Sequence, residues 1–225
     1  MGWGRIVMVL AGAGAMALAG SLFLVSGEQG PQAARSPLRT PSPADPLTGE
    51  EISRASEIAS ATLRRRMTTG QVELLYIERG DDKAAEDRRR ADAYIYDYAA
   101  NRFIVRTVDL AEGRVVAERA GRGAQPPPSR AEGERAAELL LADRAHGGRI
   151  RAAYARAAGR PLRSASDLGL RALVYTPRPA HRGAGACATH RCVRLLVRLP
   201  DATWPDTTRI VVDLSAEKIL TLEGR

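Results

Sequence analysis

The hydrophobic residues of the chain repeat with helical spacing in some segments and with strand spacing in others. In residues 48–66, apolar side chains such as Ile52 and Ala55 recur every three or four positions, which predicts an amphipathic helix. Thr48 and Glu51 stand three residues apart at its start, the pattern of a capping box, in which each side chain bonds the backbone of the other residue. The helix is therefore predicted to begin at Thr48.

Short runs rich in valine, isoleucine, leucine and tyrosine follow this helix and are separated by turn residues, which predicts an antiparallel meander. The runs are VELLYIE (72–78), ADAYIYDYA (91–99), NRFIVRTVDL (101–110) and VVAE (115–118). A second set is LRALVYTP (170–177), CVRLLVRLP (192–200), TTRIVVDL (207–214) and KILTLE (218–223). The pattern thus predicts two groups of four strands.

The two groups belong to an internal repeat. VDLAEGRVVAE (108–118) and VDLSAEKILTLE (212–223) share an apolar–Asp–Leu start, a polar turn and a basic residue. A second helix, predicted to begin at Ser129 with Glu132 three residues on, precedes the second group and breaks at residues 146–148 before it continues. The predicted fold class is α+β: two tandem cystatin-like units, each a helix with a four-stranded antiparallel sheet, after an N-terminal apolar helix.

The first residues of the chain follow a different pattern. After Arg5, residues 6–25 are uncharged and largely apolar, a length that can span a bilayer as a helix and that also fits a secretory leader. Two predictions stay open for residues 1–26, a cleaved signal peptide or a membrane anchor. Either one makes the rest of the chain extracytoplasmic, secreted or held at the membrane. No pair of adjacent arginines precedes the apolar run.

Composition marks the boundaries of the remaining segments. Residues 27–45 hold several prolines and no hydrophobic period, which predicts an extended, semi-rigid tether. Proline-rich residues 123–129 separate the two repeat units. The predicted domains are the leader at 1–26, the tether at 27–45, a first α+β domain at 46–124 and a second at 125–225.

The chain has 225 residues and a formal net charge of +8, and nearly all of its basic residues are arginines. A basic chain can bind nucleic acid, but the arginine clusters at 64–66 and 88–90 lack interleaved aromatic residues for base stacking. We therefore expect these clusters to be solvated and expect no binding of nucleic acid. The expected partner is a protein or another component of the cell envelope, with membrane contact through residues 6–25 if the leader is not cleaved.

The two cysteines of the chain lie close together in CATHRC (187–192). Cys187, His190 and Cys192 could bind copper or zinc, with His181 as a candidate fourth ligand, since such sites use three or four protein ligands. A redox pair usually has the spacing Cys-x-x-Cys at a helix start, which this segment lacks. A disulfide between Cys187 and Cys192 suits an exported chain. We favour the disulfide and expect no metal or other cofactor.

Several of these segments resemble the small N-terminal domains, N2 and N3, of copper amine oxidases. The resemblance is carried by DPLTGEEISRASEIA (45–59), by VDLAEGRVV (108–116) and by QPP (125–127), in the order helix, sheet-ending hairpin and linker. It extends over residues 45–180, and the internal repeat supports the remainder. The layout as a whole also resembles a group of exported actinobacterial proteins described by a Tat pathway signal sequence domain.

The resemblance implies a fold but supplies no catalytic residue. Copper amine oxidases act through a separate C-terminal domain, with a modified tyrosine in an Asn-Tyr-Asp/Glu setting and three histidine copper ligands. None of the six tyrosines here has that setting, and the histidines are His146, His181 and His190. No nucleophile–base pair or phosphate loop is recognisable either.

We therefore predict that the chain is not an enzyme but a non-catalytic exported interaction module of the cell envelope. It would be built from two domains like the N-terminal domains of amine oxidases. The alternative is an accessory or relic of a copper amine oxidase system that binds copper or docks on a catalytic chain.

Overall fold

Each predicted group of elements forms a four-stranded antiparallel sheet with helices packed against it. The computed structural model describes residues 41–81, 88–178 and 181–223, which belong to one compact unit (Pro41–Arg225). The first group comprises α1 (Gly49–Ser60), α2 (Arg64–Thr68), β1 (Val72–Arg79), β2 (Arg90–Asp97), β3 (Arg102–Asp109) and β4 (Arg114–Gly121). The second comprises α3 (Arg130–Ala142), α4 (Gly147–Ala158), β5 (Gly169–Val174), β6 (Cys192–Arg198), β7 (Ile210–Asp213) and β8 (Lys218–Thr221). Strands follow chain order in both sheets, so the predicted α+β class is confirmed.

The predicted leader helix, residues 6–25, lies outside the described residues, and so does the predicted tether up to residue 40. In the part of the chain that the structure describes, no helix has the length and apolar character needed to cross a membrane. The signal peptide, the anchor and the tether therefore stay predictions.

Both predicted capping boxes are present. The Glu51 backbone N–H donates to Thr48 Oγ1 (3.2 Å), and the Thr48 N–H donates to Glu51 Oε2 (2.8 Å). Ser129 and Glu132 exchange the same two bonds at the start of α3, each 2.9 Å long. These bonds satisfy backbone donors that have no acceptor within the helix.

Small residues let α1 lie close against the first sheet. Ala55 and Ala59 of α1 are fully buried in one cluster with Ala91 and Ala93 of β2 and Val108 of β3. Because alanine has a short side chain, the helix and the sheet approach closely and exclude water from their contact.

The second helical segment breaks at residues 143–146, slightly before the predicted break at 146–148, so α4 begins earlier than expected, at Gly147. A Cβ added at Gly147 would lie 2.1 Å from the Leu141 carbonyl oxygen. Only glycine allows the two backbones to approach so closely. The corner between α3 and α4 therefore depends on this residue.

Strand β7 is shorter than the sequence predicts. The predicted strand covered residues 207–214, whereas β7 begins at Ile210. The Thr207 hydroxyl donates to the Leu195 carbonyl oxygen (2.6 Å), and the Ile210 N–H donates to the Thr207 carbonyl oxygen (3.0 Å). A turn therefore replaces the first part of the predicted strand.

The two sheets share a hydrophobic core. Tyr96 of β2 and Tyr98 just after it belong to the same buried cluster as Leu140 of α3 and Val197 of β6. Separating the two groups would expose this apolar surface to water, which favours one fixed arrangement. The predicted division of the chain into two domains after residue 124 stays a prediction.

The cluster at 88–90 is not uniformly solvated: Arg90 is 18% exposed, and Arg89 has a specific structural role. Residues 88–90 were predicted to be solvated, but the Arg89 side chain is only 12% exposed. Its guanidinium donates to both carboxylate oxygens of Glu51 (2.7 and 2.8 Å) and to four backbone carbonyl oxygens between Ser42 and Pro46. Arg89 therefore fixes the segment before α1 to the start of β2.

Candidate functional site

A group of charged side chains lies where the two sheets meet. We call it the junction network and define it by Glu73, Tyr98, Glu132, Arg135 and Arg191. Glu73 lies on β1 and Tyr98 directly follows β2, whereas Glu132 and Arg135 lie on α3 and Arg191 directly precedes β6. The junction network therefore joins elements of the first group to elements of the second.

Arg191 and Glu132 form the centre of the junction network, and both side chains are 0% exposed. Arg191 Nε and Nη2 donate to the two carboxylate oxygens of Glu132, each at 2.8 Å, in the bidentate geometry that matches a guanidinium to a carboxylate. Arg191 Nη1 donates to Gln125 Oε1 (3.0 Å) and to the Pro126 carbonyl oxygen (2.7 Å). The guanidinium carbon lies 5.2 Å from the centre of the Tyr96 ring. Arg191 thus contacts α3, the linker and the first sheet at once.

Tyr98 connects the two carboxylates of the junction network. Its hydroxyl lies 2.8 Å from Glu132 Oε1 and 3.0 Å from Glu73 Oε2, so one proton faces two acceptors. Glu73 also accepts hydrogen bonds from Arg135 Nη1 (3.0 Å) and from the Ser129 hydroxyl (2.9 Å). The guanidinium carbon of Arg135 lies 4.6 Å from the centre of the Tyr98 ring. Side chains from both groups therefore hold one another in place.

The charges of the junction network balance, because two arginines face two carboxylates. Burial, together with the negative charges of Glu132 and Glu73, raises the pKa of the Tyr98 hydroxyl and keeps it protonated as a donor. Burial, the largest single influence, lowers the pKa of Arg191, but its hydrogen bonds to Glu132 and the neighbouring negative charges together raise that pKa above its usual value. Each carboxylate already accepts hydrogen bonds from an arginine and from Tyr98. This arrangement favours a structural role for the two carboxylates over a role in proton transfer.

A cavity of about 280 Å³ adjoins the junction network. Its walls include Gln71 and Tyr98 from the first group, Arg135 from α3, and Ser215 and Glu217 from the turn between β7 and β8. Arg135 Nε and Nη2 have no hydrogen-bond acceptor among the described residues, but both atoms are shielded from solvent. A ligand in the cavity could not reach these donors without rearrangement, so the cavity does not offer Arg135 as an anion site.

The CATHRC segment contains the disulfide that the sequence favours, between Cys187 and Cys192. The metal alternative requires two thiolates, which a disulfide does not supply. The third predicted ligand, His190, directs Nδ1 to the buried Asp213 Oδ2 at 2.8 Å. The predicted fourth ligand, His181, directs Nδ1 to a tyrosine hydroxyl instead. Over the described ranges, no three histidine, cysteine or acidic side chains are grouped so as to hold a metal ion.

Three aromatic rings form a row across adjacent strands of the first sheet. The ring centre of Tyr94 lies 4.7 Å from that of Tyr76 and 5.8 Å from that of Phe103, with the planes within 25° of each other. Because the rings stack on one another, both faces of Tyr94 are in contact with neighbours. Sugars and cations bind to free ring faces. The row is therefore better suited to stabilising the sheet than to binding a ligand.

From the sequence, Glu132 is predictable only as a capping residue, and no pattern singles out Arg191, Tyr98, Glu73 or Arg135. No local pattern distinguishes Arg191 from the other arginines of the chain. The available signal was its position, between the two cysteines and directly before a buried strand. Such a residue has a fixed backbone, so its side chain has a defined direction.

No protein-family model matches the chain, and no curated protein matches it. Among solved structures, the chain is similar to a copper-containing benzylamine oxidase from Hansenula polymorpha, with a TM-score of 0.45 and 15% sequence identity. The match covers 82% of this chain and 30% of the oxidase chain, so this chain spans less than a third of the oxidase.

Proposed function

We propose that the chain is a non-catalytic, exported interaction module of the cell envelope, in which two helix-plus-sheet units present their surfaces in one fixed arrangement. The observation that carries this proposal is the junction network. General acid–base and nucleophilic catalysis need side chains that can reach a substrate. The central acid and base of the junction network, Glu132 and Arg191, are instead fully buried and bonded to each other. Glu73 and Arg135 are 19% and 28% exposed, and they too are bonded to each other across the contact between the units.

The disulfide supports the extracytoplasmic part of the proposal. Disulfides form and persist in oxidising compartments and are rare in the cytosol. The Cys187–Cys192 bond joins a short helical turn to the first residue of β6 in the second unit, and both cysteines are buried. The leader predicted at residues 1–26 would provide the route of export.

The sequence resemblance supports the non-catalytic part of the proposal. The segments that resemble copper amine oxidases are those of the N2 and N3 domains, which lie apart from the domain that carries the chemistry in that family. A shared fold does not convey an activity, so no residue of this chain inherits a catalytic role.

A turnover assay tests the non-catalytic part. The purified full chain, in mild detergent and with or without added Cu²⁺, is incubated with benzylamine and with methylamine, and hydrogen peroxide is measured. We expect no peroxide above the buffer control. The proposal would be contradicted if the copper-loaded chain formed peroxide at a rate proportional to the protein concentration.

A reporter fusion tests export. A β-lactamase that lacks its own leader is fused after Arg225, and the resistance of the producing cells to ampicillin is measured. We expect resistance from the full chain and sensitivity when residues 1–26 are deleted. Sensitivity of cells that carry the full fusion, with the fusion protein present at normal levels, would place the chain in the cytoplasm and contradict the proposal.

A further inference from the structure

Strand β5 forms one edge of the second sheet and has a row of outward backbone groups. The Tyr175 N–H directly after β5 donates to the Cys192 carbonyl oxygen (2.9 Å), and the pairing of β5 with β6 has no bulge. Alternate residues of an antiparallel strand face the same neighbour. The N–H and C=O groups of Leu170, Ala172 and Val174 therefore point away from β6. None of the described strands pairs with this edge.

The other sheet edges have an irregular register or are short and covered, whereas β5 has neither feature and is protected only by the charge of Arg171. Edge strands are commonly protected by bulges, short length or a covering segment. Strand β1 has an irregular register after Leu74, and the register of β4 shifts opposite Thr107. Strand β8 has four residues, and Glu223 just beyond it pairs with Arg182. Strand β5 has six residues, a regular register and no proline.

A groove of about 410 Å³ follows this edge, between β5 and the start of α3. Leu168, Leu170 and Ala172 line it on the strand side, and Gly133 and Arg130 line it on the helix side. Side chains of an added strand alternate between the two faces of the sheet. The side chains of the added strand that face α3 would enter this groove. Because the wall of the groove on the β5 side is apolar, we expect these side chains to be apolar too.

The opposite face of β5 and β6 is basic. Its outward positions include Arg171, Arg194 and Arg198, together with Leu173 (44% exposed) and Leu196 (37% exposed), and no carboxylate. An added strand with acidic residues on this face would place carboxylates beside Arg171, a favourable cross-strand pair. A second copy of this chain would instead bring a net charge of +8 and a second Arg171 to the same edge. Charge complementarity therefore favours an acidic partner over self-association.

We propose that the outer edge of β5 binds an extended segment of a partner protein, which adds to the second sheet as an antiparallel strand. The segment alternates acidic residues, over the arginine face, with apolar residues, in the groove. Main-chain hydrogen bonds to Leu170, Ala172 and Val174 provide the affinity for the segment. The alternation of acidic and apolar side chains in the segment provides the selectivity. This inference rests on the proposed function and names the surface and the chemistry of the partner.

A binding measurement tests the charge requirement. The probe is a short synthetic peptide in which glutamate alternates with valine, blocked at both ends and labelled for fluorescence anisotropy, with the full chain in mild detergent. We expect the unmodified chain to bind the peptide and Arg171→Glu to bind it about tenfold more weakly or not at all. The control Arg119→Glu reverses a charge on β4, an exposed edge of the other sheet, and should leave the affinity unchanged.

Modified peptides test the pairing without any change to the protein. In antiparallel addition, the valines that enter the groove lie opposite Leu170, Ala172 and Val174 and direct their N–H groups to β5. N-methylation of the valines should therefore abolish binding, whereas N-methylation of the glutamates should not. In the protein, Ala172→Pro removes an outward N–H but no β5–β6 bond, and should also abolish binding. If that variant does not fold, the methylated peptides decide.

Several results would overturn the inference. They are failure of the glutamate–valine peptide to bind, equal binding to Arg171→Glu, or equal binding of both methylated peptides. A concentration-dependent dimer of the chain that Arg171→Glu strengthens and Ala172→Pro removes would assign the edge to self-association instead. None of these results bears on turnover or export, so the failure of this inference is distinguishable from the failure of the proposed function.

Discussion

Replacing Arg191 with methionine leaves a buried carboxylate without its cation. Methionine is similar in length to arginine but has no charge and no hydrogen-bond donors. Glu132 would lose two hydrogen bonds of 2.8 Å, and Gln125 Oε1 and the Pro126 carbonyl oxygen would lose their donor. Removing one partner of a buried ion pair costs about 3–5 kcal/mol of unfolding free energy, because the other charge stays buried without compensation. Domains are typically stable by only about 5–15 kcal/mol in total.

Urea denaturation measures this cost. With a slope of about 2 kcal/mol per molar urea, the expected loss lowers the denaturation midpoint by roughly 1.5–2.5 M. The matched control is Arg130→Met, because Arg130 pairs with Glu134 on the surface and its side chain is 91% exposed. The control should cost less than about 0.5 kcal/mol.

A double mutant separates the ion pair from other effects of the substitution. Glu132→Gln removes the negative charge but keeps an acceptor for the capping box. Combined with Arg191→Met, it leaves neither charge buried, so the double mutant should be more stable than the sum of the single costs predicts, by about 1 kcal/mol or more. A cost below about 1 kcal/mol for Arg191→Met, or strict additivity in the double mutant, would refute the role of this pair.

Three further predictions concern contacts elsewhere in the structure. Hydrogen bonds from Arg89 lower the pKa of Glu51 from 4.5 to about 2, so this pair stabilises the fold above pH 4.5 and the contribution is lost as the pH falls towards 2. Between pH 4.5 and 2, the unfolding free energy of Glu51→Gln should therefore fall less steeply than that of the unmodified chain. Parallel plots of unfolding free energy against pH for the two proteins would contradict this prediction. Replacing Cys187 and Cys192 by serine should cost about 2 kcal/mol, given the short loop, and a denatured, unreduced chain should show no free thiol. Arg89→Lys keeps the charge but loses the planar fork, so amide hydrogen exchange between residues 42 and 51 should become faster, whereas unchanged exchange would mean that Arg89 does not hold this segment.

The features that the sequence predicted well depend on neighbours along the chain. Helical and alternating periodicity located the helices and strands, since burial of one face imposes the period. The capping boxes at Thr48 and Ser129 were found because their partners lie three residues away. The disulfide followed from two nearby cysteines and a predicted leader.

The features that were missed depend on contacts between distant segments. Arg191 and Glu132 lie far apart in the sequence, and either could have been an ordinary surface residue. Arg89 was grouped with its neighbours as solvated, because nothing local indicates that it reaches back to residues 42–46. The edge position of β5 was not predicted either, since periodicity locates strands but does not tell which of them lie at the edges of a sheet.

If this chain acts by binding a partner outside the cytoplasm, photo-cross-linking in intact cells should capture that partner. A photoreactive amino acid is placed in the full chain, one site at a time, at Ile52, Leu173 and Trp204, whose side chains are 40%, 44% and 56% exposed. We expect a discrete, light-dependent adduct of higher mass from at least one of these positions, formed outside the cytoplasm. No adduct from any of them, in cells that export the chain at normal levels, would contradict it.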